Sequence, residues 1–396
     1  MVSGTAEGFL SFAQWLWHES GGAMFGGAHA LRILVTGGAG FIGSAFIRQV
    51  MAEGADDVVN VDCLTYAASP QRIAGVADSP RYRFVKADIR DGARMAALLR
   101  ESEPHAIVHF AAESHVDRSI DGPAPFLETN VLGTGALLEA ATRYWCALGP
   151  GDKLRFRFIH ISTDEVFGSL GPEGQFDETS PYRPSSPYAA SKAASDHLAR
   201  AWHKTYGLPV IVTSSCNNYG PYQFPEKLIP LAILRACSGK TIPLYGDGSN
   251  VRDWLHVDDH AAALLAVLQR GRVGESYAIS ASETHTNRSV VEAICTILDG
   301  IAGHGREQPF ASRIELVEDR PGHDFRYALN PKKLNDELAW RPARKFREAL
   351  QETVAWYVAN ESWWRSILAT GYDGGRLGLG TKMAEPRAQL AEAGEK

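Results

Sequence analysis

Leu31-Arg32-Ile33-Leu34-Val35-Thr36-Gly37-Gly38-Ala39-Gly40-Phe41-Ile42-Gly43 is the stretch whose reading decides the fold. Leu31 to Val35 has the composition of a strand buried on both faces, and a helical stretch runs on from the glycines to about Glu53. Gly37, Gly40 and Gly43 keep a Gly-x-x-Gly-x-x-Gly spacing. Glycine there permits a tight turn and lets backbone approach a pyrophosphate, whose charge settles on the helix N-terminus. A purely structural turn is the plain alternative, and the placement between strand and helix favours the dinucleotide.

Outward from this stretch the pattern repeats. Val58 to Asp62, Tyr82 to Ala87, Ile107 to Phe110, Phe156 to Ile161 and Val210 to Thr213 read as strands. Helical patterns cover about Ala93 to Glu101, Ala124 to Leu148 and Pro187 to Tyr206. Strands alternating with helices mean βαβ units and a parallel sheet. The expected fold is therefore α/β, a Rossmann-type doubly wound parallel sheet with a smaller C-terminal substrate-binding region. Residues 31–215 form the dinucleotide-binding part with the catalytic residues, and 216–375 are mainly substrate-binding and interleaved with it. Residues 1–30 read as a disordered extension, with Met24 a plausible true start, and 376–396 as a tail.

Of 396 residues, 45% are hydrophobic and 22% charged, ordinary for a globular chain with a sizeable core. A net charge of −6 argues against nucleic acid as the main partner and gives no support for a membrane surface. Phe9 to Trp17 is far too short to span a bilayer. The five cysteines (Cys63, Cys146, Cys216, Cys237, Cys295) are scattered, lack metal-ligand spacing, and read as packing residues in a reducing cytoplasm.

Asp62 ends the second strand, where a carboxylate accepts ribose hydroxyls and repels a 2′-phosphate, so NAD is favoured over NADP. A strand-end aspartate capping a turn is the alternative. Asp88-Ile89 would flank the adenine, and Phe110, Ala111, Ala112 and Ser114 lie where a nicotinamide ribose passes. After the strand ending at Ile161 come Thr163, Asp164 and Glu165, adjacent carboxylates whose environments can separate an acid from a base. Tyr188-x-x-x-Lys192 follows, with phenol and ammonium on one helix face, where the cation would lower the tyrosine pKa. His109 and His160 sit in apolar strands and read as satisfied core histidines.

These motifs together resemble the extended short-chain dehydrogenase/reductase family, and within it the nucleotide-sugar 4,6-dehydratases. The resemblance spans about Leu31 to Tyr357 and rests on seven runs: VTGGAGFIGS (35–44), AAESHVDRSI (111–120), ISTDEVFG (161–168), SSPYAASKAASDHL (185–198), NNYGPYQFPEKLIP (217–230), RDWLHVDDH (252–260) and DRPGHDFRYA (319–328). It implies bound NAD, dTDP-glucose as substrate and a homodimer built on the helices around 124–148 and 186–206, with Leu137, Leu138, Ala141 and Leu198 in the contact. By the same likeness Tyr188 takes the proton of the carbon-4 hydroxyl, Lys192 lowers its pKa and holds the nicotinamide ribose, and Thr163 orients the sugar. Glu165 removes the carbon-5 proton and Asp164 protonates the departing carbon-6 hydroxyl. Phe41, Ile42, Cys63, Leu64, Thr65, Thr129 and Asn218 join the cofactor set. Ser114, Thr163, Asn217, Lys227, Leu228, Pro243, Leu244, Tyr245, Arg252, Asn287, Asp319, Arg320 and His323 form the substrate set. Arg252 and Arg320 suit a diphosphate because guanidinium donates charge-assisted pairs of bonds; a surface ion pair is the alternative.

Three departures stand out: Phe167 replaces a usual tyrosine, Ser280-Ala281-Ser282 replaces a more glycine-rich turn, and the N-terminal extension has no counterpart; Arg118, in the same run as His115 and Asp117, has no assigned role. The rival readings are a 4-epimerase or decarboxylase on the same fold, and a catalytically silent NAD-binding protein. An epimerase needs no acid and base at carbons 5 and 6, and a silent protein could dispense with Tyr188 or Lys192.

Overall fold

The computed structural model describes residues 30–54, 56–303, 307–369 and 377. The expectations for 1–29, and for the tail apart from Leu377, lie outside the described residues.

The opening stretch forms strand β1 (Arg32–Thr36) and helix α1 (Phe41–Glu53). Four further strands follow: β2 (Asp57–Asp62), β3 (Tyr82–Lys86), β4 (Ala106–His109) and β5 (Arg157–Thr163). Between them lie α2 (Gly92–Ser102) and α3 (Thr134–Ala147). Next come α4 (Pro187–Tyr206) and β6 (Val210–Ser215). The seventh strand of the sheet, β10 (Ser276–Ile279), arrives from the C-terminal half, so the two halves of the chain share one sheet. The order is β10-β6-β5-β4-β1-β2-β3, with every pairing parallel.

Alternation along β1 shows how the layers form. Ile33 and Val35 enter the core on one face, and Leu34 enters the core on the other. A strand enclosed on both sides is apolar along its enclosed part, which is why Ile33, Leu34 and Val35 follow one another without a polar interruption.

A smaller lobe builds on α5 (Leu228–Cys237), β8 (Ile242–Tyr245), β9 (Val251–His256) and α6 (Val257–Arg270). Its remaining parts are α7 (Asn287–Ala302), β12 (Ile314–Val317) and α8 (Phe346–Ala359). Its core gathers Trp254, Val291, Ile294, Phe346, Tyr357 and Trp364. Short strands β7 (Asn217–Tyr219) and β11 (Thr284–Thr286) flank β9, and β8 pairs with β12. Helix α6 packs back on α1 beneath the main sheet.

Three expectations need correction. The helix expected from 124 to 148 opens with one α-turn (Ala124–Phe126) and a π-helical stretch (Leu127–Gly133) before α3. The wider turn lets Asn130 reach Ser191 Oγ, at 2.8 Å, while it also holds Glu113 N and O. Leu137, Leu138 and Ala141 are fully buried against the sheet and are not free for a dimer contact, while Leu198 packs on the same core but stays half-buried. The apolar side chains that point outward there are Leu127 and Leu132, 51% and 68% exposed. Only Cys216 and Cys295 pack in the core; Cys63, Cys146 and Cys237 are exposed, because their positions fall at strand and helix ends.

The two internal departures and Arg118 have local explanations. Phe167 stacks on Phe176 and meets Tyr182 edge-on, both at 5.2 Å, an apolar cage that asks for no hydroxyl. Ser282 takes a left-handed φ of 58°, the conformation for which a glycine would be the default, and Ser280 Oγ accepts its N–H at 2.8 Å. Arg118 lies 3.9 Å over the Tyr66 ring and donates to Glu226 Oε2 at 2.8 Å.

Candidate active site

The dinucleotide groove starts at the glycine turn. Gly37 has φ +73°, and a Cβ there would lie 2.6 Å from Ala111 N; one on Gly43 would lie 2.5 Å from Gly37 O. No side chain caps the N-terminus of α1. Uncapped amide donors beside a Cβ-free turn fit the diphosphate of a dinucleotide, so the residues present suit NAD. Phe41 and Ile42 open that helix.

Asp62 combines both of its sequence readings. Oδ2 accepts Ala39 N at 2.9 Å and Oδ1 accepts Leu64 N at 2.8 Å, holding Leu64 at a left-handed φ of 59°. It thus caps the turn and stays at the strand end where a ribose would sit. Burial pushes its pKa up, while the two amides and Arg72 oppose. Cys63 and Thr65 continue this turn. Asp88 is tied to Arg90 at 2.7 Å, and the Ile89 side chain is buried. Phe110 packs on Phe46 at 5.5 Å, and Ala111 and Ala112 continue past the end of β4. Thr129 is half-buried on the π-helical stretch. Asn218 is turned into the core, with Oδ1 2.8 Å from His260 Nδ1 and Nδ2 donating to Cys216 O at 2.8 Å.

The ends of β5 and α4 bring the proposed chemistry together. Ser186 caps α4 by accepting Ala189 N at 3.1 Å, and Pro187 starts it, so Tyr188 lies in the first turn. Ser119 Oγ accepts Tyr188 N at 3.1 Å, and Phe126 packs edge-on against the phenol ring. Lys192, one turn on, donates to Ile161 O at 2.8 Å. Thr163 ends the strand, its Oγ1 3.2 Å from Asp164 Oδ1.

The expected pull of Lys192 on Tyr188 is not among the main influences within the chain alone. Tyr188 is held well above the ordinary tyrosine range, by burial first and then by the neighbouring Glu165 charge, with the Thr163 hydroxyl acting the other way. Lys192 points at a backbone carbonyl, so it does not offset burial within this chain alone.

Asp164 and Glu165 are both raised by burial but meet different neighbours. Asp164 is pushed well above the carboxylate range by burial, then by Glu165 and Asp253. Burial also raises Glu165, but Arg320, Lys227 and Arg252 favour its ionised form. One carboxyl is set to hold its proton while the other faces three cations.

Glu165 opens into a cleft that also takes in Asn217, Lys227, Leu228, Pro243, Leu244, Tyr245, Arg252, Asn287, Arg320 and His323. Three expected substrate contacts are not in its wall. Ser114 supplies its carbonyl to Lys227 Nζ at 2.9 Å, Asp319 Oδ1 stands 2.6 Å behind His323 Nδ1, and Thr163 lies deeper. Neither arginine is a free fork. Arg252 donates to the carbonyls of Val251 and Asp324 and lies 4.3 Å over Tyr327. Arg320 pairs with Asp117 at 2.6 Å, a buried ion pair instead of a surface one. Four enclosed polar atoms in this wall lack a partner among the described residues: Asn217 Oδ1, Asn287 Oδ1, Trp254 Nε1 and Arg320 Nε. Two acceptors and two donors facing one cleft mark a place for a polar ligand.

Sequence reasoning missed several residues here. His115, Asp117, Glu226, Trp254 and Tyr327 also line the cleft. All five fall inside the quoted runs, so the signal was present as position, while their burial toward one cleft was not. Asn130 lies outside every run and carried no signal.

Comparisons with known proteins agree with this geometry. A family profile described as GDP-mannose 4,6 dehydratase matches residues 34–353. A dTDP-glucose 4,6-dehydratase of Xanthomonas campestris pv. campestris is 53% identical over 345 residues, covering 87% of this chain and 98% of the relative. The solved dTDP-glucose 4,6-dehydratase of Streptomyces venezuelae, with NAD bound, has a TM-score of 0.77 at 49% identity, covering 85% of this chain and all of that one. The UDP-glucose 4-epimerase of Thermus thermophilus, also with NAD, has a TM-score of 0.72 at 31% identity over 83% of this chain and 100% of its own. This chain therefore belongs to the GDP-mannose 4,6 dehydratase family of extended short-chain dehydrogenase/reductases, together with the dTDP-glucose 4,6-dehydratases.

Proposed function

We propose that this chain is an NAD-dependent dTDP-glucose 4,6-dehydratase, a hydro-lyase forming the 4-keto-6-deoxy sugar nucleotide. The observation that carries this reading is the placement of Asp164 and Glu165 at the end of β5 beside Tyr188 and Lys192, with Glu165 opening onto a cleft lined by Lys227, Arg252 and Arg320. An epimerase has no use for a second acid and base at that place.

NAD, when bound, supplies the hydride acceptor at carbon 4 and the donor at carbon 6. Tyr188, as the phenolate, takes the carbon-4 hydroxyl proton, with Thr163 aligning that hydroxyl and Lys192 holding the ribose; the positive charge of bound NAD and of Lys192 would offset the rise that burial imposes on the phenol in the chain alone. A ketone at carbon 4 acidifies the neighbouring carbon-5 proton, which is why oxidation comes first. Glu165, whose rise from burial is opposed by Arg320, Lys227 and Arg252, removes that proton. Asp164, held protonated by its burial, gives its proton to the leaving carbon-6 hydroxyl. The cycle is redox-neutral, which favours a retained cofactor. The cleft takes the nucleotide diphosphate, with the lone donors Trp254 Nε1 and Arg320 Nε among its contacts.

A homodimer through the outward faces of the π-helical stretch, α3 and α4 fits exposed Leu127 and Leu132. Three exposed cysteines outside any disulfide suit a reducing cytoplasm, and no helix among the described residues is long and apolar enough to cross a membrane. The deciding experiment incubates the protein with dTDP-, UDP- and CDP-glucose and assays the alkaline absorbance of a 4-keto product. Turnover confined to dTDP-glucose supports the reading; a C4 epimer without keto product overturns it.

A further inference from the structure

Helix α4 places a third ionisable residue one turn beyond Lys192, on the same face: Asp196. It is fully enclosed. Three side chains converge on its carboxylate: Ser162 Oγ at 2.6 Å, the Tyr182 hydroxyl at 2.8 Å and His160 Nε2 at 3.0 Å. Burial alone would raise its pKa, yet the His160 bond, Lys192 and Ser162 hold it below the usual carboxylate range. Burial and then Lys192 keep His160 below its ordinary value, with the Asp196 carboxylate acting the other way across the 3.0 Å contact.

Lys192 is equally enclosed, and no carboxylate among the described residues lies within ion-pair distance of it. Its ionisable surroundings are Tyr188 and Asp196 on its own helix, His160 on β5 and His109 on β4, while the carboxylates of the 164–167 turn face Tyr188. Burial brings Lys192 down to about 8, and Asp196 is the influence that acts the other way. Of these neighbours Asp196 alone is anionic at neutral pH. A buried charge without compensation is costly, so each of the two ions depends on the other.

We infer that Asp196 is a positioning residue for the redox pair: its enclosed carboxylate keeps Lys192 an ammonium and so fit to hold the nicotinamide ribose. This role rests on the dehydratase reading of Tyr188 and Lys192. It assigns a task to the polar network of Ser162, Tyr182 and His160, which touches no part of the cleft.

The test is NAD affinity as a function of pH, measured without substrate, so a missing keto product would count only against the dehydratase reading. The wild-type protein loses affinity as pH rises through the Lys192 value. In Asp196→Asn the ammonium loses its partner, and the break moves to lower pH by about 1 to 3 units, the usual effect of one nearby charge. Tyr182→Phe keeps the carboxylate and leaves the break in place. A uniform loss of affinity in Asp196→Asn, with the break unmoved, overturns the proposal. If Asp196→Asn does not fold, Asp196→Asn/Lys192→Met removes both charges and should fold again. Failure of both variants alike also overturns it, because the stranded ammonium was then not the cause.

Discussion

Asp164 and Glu165 are neighbours in the chain, yet their carboxyls occupy opposite electrostatic settings. Asp164 is shut in beside Asp253, with Oδ2 unpartnered among the described residues, and Glu165 opens onto a cleft lined by Arg252, Lys227 and Arg320. The turn Asp164–Phe167, which starts where β5 stops, sends consecutive side chains in different directions.

Glu165→Gln should keep oxidation at carbon 4 and block elimination. Loss of one positioned base slows its own step by about 10²–10⁴-fold. Mixing the variant with dTDP-glucose should therefore accumulate enzyme-bound NADH, read by absorbance, with little keto product. Tyr188→Phe should form almost none. Wild-type turnover by Glu165→Gln would sink the mechanism.

Asp62→Ala should narrow the preference for NAD over NADP, since a 2′-phosphate would no longer meet a carboxylate. Because Asp62 also holds Ala39 N and Leu64 N, NAD affinity itself should fall as the turn loosens. Calorimetric titration with both cofactors checks both effects. NADP binding more tightly than NAD in the wild-type protein would show that Asp62 has another task.

Asp117 binds Arg320 Nη1 through Oδ1 and the Tyr245 hydroxyl through Oδ2, at 2.6 and 2.8 Å. It sets two cleft side chains in place before any ligand arrives. Asp117→Asn should raise KM for the sugar nucleotide by about tenfold or more, the scale of one charge-assisted bond, with kcat little changed. A drop in kcat at constant KM would place Asp117 in the chemistry instead.

Leu132→Asp should split the dimer and leave the fold intact, because its side chain is two-thirds exposed. Leu137→Ala should instead cost about 2–5 kcal/mol of stability by opening a cavity under α3. Light scattering and thermal melts separate the two. Wild-type monomers at micromolar concentration would remove the dimer proposal.

Much of this molecule was legible in the chain itself. The order of strands and helices, the glycine turn, and Tyr188 with Lys192 on one helix face follow from periodicities of two and 3.6 and from residues with few conformational options. Acid and base at a strand end could be named because strand ends of a parallel sheet open onto the site. The tertiary structure decided how charge is partitioned. Burial, which no local window reports, raises Tyr188, Asp164 and Glu165; cations from distant segments at 227, 252 and 320 oppose that rise at Glu165. Packing also decided that Leu137 and Leu138 face the sheet while Leu132 faces outward. An apolar helix position looks the same in sequence whether it meets its own core or another subunit, and only the placement of the sheet distinguishes them.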